Sequence, residues 1–167
     1  MASAGLDAQD MHNIKATFNS DDLGNSADVE LKWAIKASDH ADVYFNLISS
    51  VTPSLLRLTK HDDEIYAKFR ETFPDFKVDV LDENEMKSPE NKEKWRQFME
   101  EFKEKIEDFN YGSLLRLNCN EGYTQENTMF SVRTQFLAIE IARNREKYND
   151  CLRFTHGKLK DTESKAS

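Results

Sequence analysis

The sequence predicts a mainly α-helical protein, a compact bundle of about five helices with at most a short two-stranded β element. Three observations predict it. Apolar residues recur at spacings of three and four along several long segments, which is the helical period. Only five glycines and three prolines occur in 167 residues, too few turn-formers for a many-stranded sheet. Charged residues make up 32% of the chain, above the roughly 25% of typical soluble domains, as long solvated helical faces require.

Residues 1–24 are polar and aperiodic and read as a disordered arm, in which Ile14 and Phe18 have the spacing of one helical turn. Residues 25–152 read as a single helical domain and 153–167 as a flexible tail. The first helix begins at an Asn25 or Ser26 cap and runs to about Ser50 on Ala34, Ala37, Ala41, Tyr44, Ile48 and Val51, with Trp33, Phe45 and Leu47 widening the stripe. Thr52-Pro53 opens a short turn. Thr59 and the acids Asp62, Asp63 and Glu64 start a second helix on Ile65, Phe69 and Phe73, which Pro74 ends.

Phe76-Lys77-Val78-Asp79-Val80 alternates with period two and is the best strand candidate. Asp82 with Glu85 has the pattern of a capping box for one short turn, and Ser88-Pro89 starts helix again. That helix carries Trp95, Phe98, Met99, Phe102, Ile106 and Phe109 on one stripe until Asn110-Tyr111-Gly112. Leu114–Leu117 is either a second strand beside Phe76–Val80 or a further helical turn. The final helix begins near Thr124 or Ser131 and is apolar almost all round through Phe130, Val132, Phe136, Leu137, Ile139 and Ile141, which argues for central burial.

The motifs of chemistry are missing. His12, His40, His61 and His156 share no metal-like spacing, and no Cys-x2-Cys occurs, so no metal and no cofactor is expected. His61-Asp62-Asp63-Glu64 is what a helix dipole favours in a first turn. Cys119 and Cys151 cannot build a disulfide framework. No phosphate-binding glycine loop and no nucleophile elbow is present. The chain reads as a non-enzyme.

The net charge of −8 disfavours nucleic acid and anionic membranes as partners. The start lacks a basic and apolar leader, which points to the cytoplasm and also allows the nucleus. Charge is uneven: residues 129–160 hold seven basic against three acidic side chains. Within the last helix, Arg133, Glu140 and Arg143 lie among apolar neighbours, where an unpaired charge is costly. Either they pair with each other and with Glu126 or Asp108, or they surface at a recognition patch.

Two blocks are familiar. Glu107-Asp108-Phe109-Asn110-Tyr111-Gly112-Ser113-Leu114-Leu115-Arg116-Leu117, followed by Gly122-Tyr123-Thr124-Gln125-Glu126-Asn127-Thr128, and the run from Arg133 to Glu146 resemble the polysaccharide biosynthesis domain-containing protein 1 family. The resemblance covers roughly residues 25–150. It implies a helical, monomeric, dedicated chaperone of translation elongation factor 1-alpha, acting on the nascent GTPase domain beside the nascent polypeptide-associated complex. Contact residues expected on this reading are Asn110, Tyr111, Arg116, Glu126, Asn127, Arg133, Arg143, Asn144 and Arg145. The family's name points to the alternative, an enzyme of sugar or polysaccharide metabolism. Many members have proline where this chain has Val132, which frees the last helix to begin earlier.

Overall fold

The computed structural model describes residues 27–155. The expected arm, the Asn25 or Ser26 cap and the tail beyond 155 lie outside the described residues, as do His12 and His156. Helix α1 spans Ala27–Ser50 and buries Trp33, Ala37, Ala41, Tyr44, Phe45 and Ile48. Leu47 faces outward instead of widening the stripe. A 3-10 turn, Pro53–Leu55, follows with proline in its first turn.

Helix α2, Asp62–Thr72, opens on a buried acid. The Asp62 carboxylate accepts the Leu58 and Thr59 N–H groups, both at 2.7 Å, and the Thr59 hydroxyl at 2.9 Å. The short helix α3, Glu83–Met86, is capped by Asp82, which accepts the Asn84 N–H at 2.9 Å and the Glu85 N–H at 3.2 Å. Helix α4, Pro89–Phe102, is capped by the Ser88 hydroxyl. Phe69, Phe73, Phe76, Trp95, Phe98 and Phe102 form one aromatic cluster, with centroids 4.6 Å apart at Phe73–Trp95 and 6.4 Å at Phe69–Phe98. Edge-to-face and tilted contacts of this kind add to the area each ring buries.

The α4 helix stops at Phe102, not Phe109. The chain must turn to enter a strand, and Asp108 takes a left-handed φ of 54° while Tyr111 N–H closes on the Asp108 carbonyl at 2.9 Å. Ile106 still reaches the core. Strand β1, Gly112–Arg116, pairs antiparallel with β2, Thr128–Val132, in the register Leu114 opposite Phe130. Gly112 is dictated by Trp33: a Cβ there would lie 2.3 Å from the indole Nε1.

Two expectations are corrected here. Leu114–Arg116 is strand and Leu117 lies just past its end, and the strand's partner is β2, a segment expected to be helical. Helix α5, Arg133–Arg145, starts only after β2. Its first turn is fixed by Arg133 N–H on the Tyr111 carbonyl, Thr134 on the Phe109 carbonyl, and the Gln135 side chain accepting the Val132 N–H. Phe76–Val80 forms no ladder; a single bridge joins Val80 to Asn118. A final turn of helix, α6, covers Leu152–Thr155 and contacts α1. Helix α5 is the centre of the fold, touching α2, α4, both strands and the 3-10 turn. No described helix is long and apolar enough to cross a membrane.

Candidate functional site: a closed arginine–glutamate cluster and the surface beside it

Glu140 sits in the middle of α5 with no solvent exposure. Its carboxylate accepts from four side chains: Tyr44 Oη at 2.9 Å, Arg116 Nη2 at 3.0 Å, Arg143 Nη1 at 2.8 Å and Asn149 Nδ2 at 3.1 Å. Burial alone would raise its pKa, but the two guanidinium groups and the bonded donors win and hold it down to about 2. The same carboxylate, with burial, pushes the Tyr44 phenol well above its ordinary range. Tyr44 Oη in turn accepts from Asn144 Nδ2 at 3.3 Å, and Asn149 Nδ2 also reaches Asn144 Oδ1 at 2.7 Å.

Two cations face one anion, and backbone carbonyls take the excess. Arg143 Nε donates to the Val78 carbonyl at 2.6 Å, and its Nη2 donates to those of Arg116 and Leu117 at 2.8 and 3.0 Å. Arg116 Nη1 donates to the carbonyls of Cys119 and Glu121 at 2.7 and 3.3 Å, and its guanidinium lies over the Phe45 and Tyr123 rings. A forked, permanently charged group with five N–H donors suits this arrangement in a way lysine cannot. The Arg143 guanidinium joins Val78 to the end of β1 by donating to carbonyls on both sides, beside the backbone bond from Leu81 N–H to the Leu117 carbonyl at 2.9 Å.

The expected contact residues therefore divide. Arg116, Asn127, Arg143 and Asn144, expected among the partner contacts, are interior in this structure. Asn127 folds the loop between the strands, accepting the Asn118 N–H at 2.8 Å and donating to the Asn118 and Gly122 carbonyls at 3.1 and 2.9 Å. Glu140 and Arg143 pair with each other as one alternative held, but their third member is Arg116, not Glu126 or Asp108. Arg145 is half-buried, bonded to Asp63 at 2.6 Å and lying over the Tyr66 ring. Asn110 and Glu126 are exposed; Tyr111 and Arg133 are half-buried.

A surface does form around some of the latter. Lys36 of α1 lies over the Tyr111 ring, 5.3 Å from its centre. Arg133 stands near enough to His40 that its charge adds to burial in lowering the His40 pKa. The sequence reading missed Asn149, which has no signal in its neighbours, and it placed Tyr44 only as a core aromatic. A phenol at a core-facing position needs a partner for its hydroxyl, and that was the available clue.

Among the described residues no three His, Cys, Asp or Glu side chains are grouped so as to hold a metal ion. Cys119 is buried and Cys151 exposed, both as free thiols. An open groove of about 380 Å³ is lined by Arg70, Phe76, Lys77, Asp79, Glu146 and Tyr148, among others. Glu146 there is clamped by Arg70 Nε and Nη2, both at 2.8 Å.

Fold and cluster together define a small, mainly helical domain pinned by an internal Arg–Glu–Arg triad. Residues 29–154 match the family described as PBDC1 protein, and the chain belongs to that family. Protein PBDC1 of Mus musculus is 60% identical over 75% of this chain and 64% of its own length. Its counterpart in Homo sapiens is 57% identical over 78% of this chain and 56% of its own length. The chain thus spans somewhat less than two thirds of these relatives. The Saccharomyces cerevisiae homologue is 47% identical over 81% of this chain and 95% of its own length. The solution NMR structure of protein yst0336 from Saccharomyces cerevisiae superposes with a TM-score of 0.72 at 46% identity, covering 83% of this chain and 97% of that one.

Proposed function

We propose that this chain is a protein-binding factor, a dedicated co-translational chaperone of translation elongation factor 1-alpha. The observation that carries the binding role is the outer face of α1, where Leu31, Ile35, Val43 and Leu47 stand exposed. Large apolar side chains left exposed along one ridge of a helix favour contact with another polypeptide. The choice of elongation factor 1-alpha rests on the family resemblance, as do the nascent GTPase domain as client and the nascent polypeptide-associated complex as co-factor of the process. A place in the cytoplasm, with access to the nucleus, fits that client.

The closed cluster supports the same reading. An acid–base residue needs a free lone pair or a transferable proton. Glu140 has donors on both carboxylate oxygens and is held ionised.

The test is capture by the tagged full chain from a translating extract. Enrichment of elongation factor 1-alpha, greatest while its GTPase domain is ribosome-bound, is the expected result. An extract in which neither the finished nor the nascent factor is enriched over a tag control sinks the proposal.

A further inference from the structure

The exposed side chains of α1 have an order. Leu31, Ile35, Asp39, Val43 and Leu47 follow one another at intervals of four, and the four apolar members are 57%, 54%, 67% and 40% exposed. Residues so spaced form a continuous ridge inclined to the helix axis. At 1.5 Å per residue the ridge rises about 24 Å along the axis while turning about 160° around it, so Ile35, Asp39 and Val43 form its outward-facing middle. It is the ridge that a second helix accepts when two helices interdigitate in the commonest packing class.

Charge on the ridge is specific. Asp39 occupies its midpoint and is exposed, and Asp42 stands one row away. Partial burial raises the Asp42 carboxyl above its ordinary value, and the Asp39 charge adds to the rise. Neither acid forms an ion pair among the described residues. On the other flank, Lys32 and Lys36 are exposed and lead to Tyr111 and Arg133. The ridge is thus apolar at both ends, acidic at the centre and basic along one side of its N-terminal half.

The geometry points to an amphipathic helix of another polypeptide as the occupant, with a Lys or Arg set within its apolar stripe opposite Asp39. This rests on the protein-binding reading above and gives that partner its chemistry. Two other occupants fit less well. In a two-fold pairing of this chain, Leu31 would meet Leu47 and Ile35 would meet Val43, but Asp39 would then meet the same carboxylate of the second copy. Like charges in contact are destabilising. A lipid surface gains nothing from two acids within the apolar band, and the chain's charge of −8 opposes anionic headgroups.

The experiment uses the full chain and two labelled helix-forming peptides of 18 residues, each with four leucines at intervals of four. One has Lys at the centre of the leucine stripe and the other Glu. Fluorescence anisotropy is expected to show the Lys peptide binding about tenfold or more tightly. Asp39→Lys reverses the order, and Val43→Asp abolishes binding of both peptides with an unchanged melting temperature. Equal affinities, no binding to the unaltered chain, or indifference to Asp39→Lys overturns the inference. So does concentration-dependent self-association lost in Val43→Asp, or co-sedimentation with phosphatidylcholine–phosphatidylserine vesicles in place of peptide binding. The capture assay separates the two proposals. If Val43→Asp still enriches elongation factor 1-alpha, this surface fails and the proposed function stands; if the unaltered chain never enriches it, the proposed function fails, and the peptide result alone decides the ridge.

Discussion

Arg143 and Val78 are 65 residues apart in the chain, and the arginine Nε meets the valine carbonyl at 2.6 Å. One side chain of α5 thereby closes the gap between the segment that precedes α3 and the end of β1. The extended segment Phe76–Val80 is held by this guanidinium together with the Cys119 N–H on the Asp79 carbonyl at 2.9 Å.

Arg143→Ala removes one cation from Glu140 and three hydrogen bonds to backbone carbonyls. Breaking a buried pair in this way costs about 3–5 kcal/mol. The expected outcome is a clear fall in the urea midpoint, with Arg143→Lys only partly restoring it because an ammonium cannot reach all its acceptors. A stability within about 0.5 kcal/mol of the parent chain contradicts the assigned role.

The stability of the protein should fall in acid through Glu140. Its carboxyl titrates at about 2 in the folded chain and near its ordinary 4.5 when unfolded. Between those values the unfolded state binds more protons, so stability rises with pH. The contribution is fully present above about 4.5 and is lost as pH falls toward 2. Urea midpoints measured from pH 6 down should show this slope, and Glu140→Gln should flatten that part of it. An unaltered slope in the variant rules Glu140 out as its source.

Gly112→Ala drives a methyl into the Trp33 indole at 2.3 Å. Overpacking of this kind costs about 1–3 kcal/mol. Trp33→Leu should lose packing of its own, since that ring stacks on Phe130 at 4.7 Å, yet it should make Gly112→Ala nearly free of cost. Strict additivity in that double-mutant cycle contradicts the contact.

Two of the charged pairs between α2 and its surroundings should matter little. Lys68 meets Glu101 at 3.2 Å, and Lys105 meets Glu64, all on partly or fully exposed side chains. Exposed pairs contribute about 0–1 kcal/mol. Glu101→Gln should therefore shift the urea midpoint by less than about a third of the Arg143→Ala effect at 150 mM salt, and a larger shift contradicts this ranking.

What could be read in advance follows local chemistry. Asp82 and Ser88 announce their helix starts because a cap satisfies backbone groups only two or three residues away, and Pro53 announces its turn by its fixed φ. The stripes of α1, α2 and α4 were legible for the same reason. The β2 strand was not, because Met129, Phe130 and Val132 form a short apolar run, and buried strand and buried helix share that signature. Phe76 and Val78 alternate inward as expected, but the bond of the Val78 carbonyl to Arg143 comes from a distant helix and leaves no local signal. Arg116 and Arg143 beside aromatic residues describe a core and an interface equally well, and burial is a property of the whole fold. The outer ridge of α1 went unread because Leu47 was assigned to the inner stripe and the ridge's spacing of four continues across Asp39.

Glu140 gathers Tyr44 from α1, Arg116 from β1 and Asn149 from beyond α5, and Arg143 adds Val78. Loop closures of such span must precede the contacts that reward them. During synthesis, then, Tyr44 and Arg116 wait for α5 to emerge before their polar groups meet Glu140. The buried cluster therefore closes only once residues from four separate segments have come together on α5.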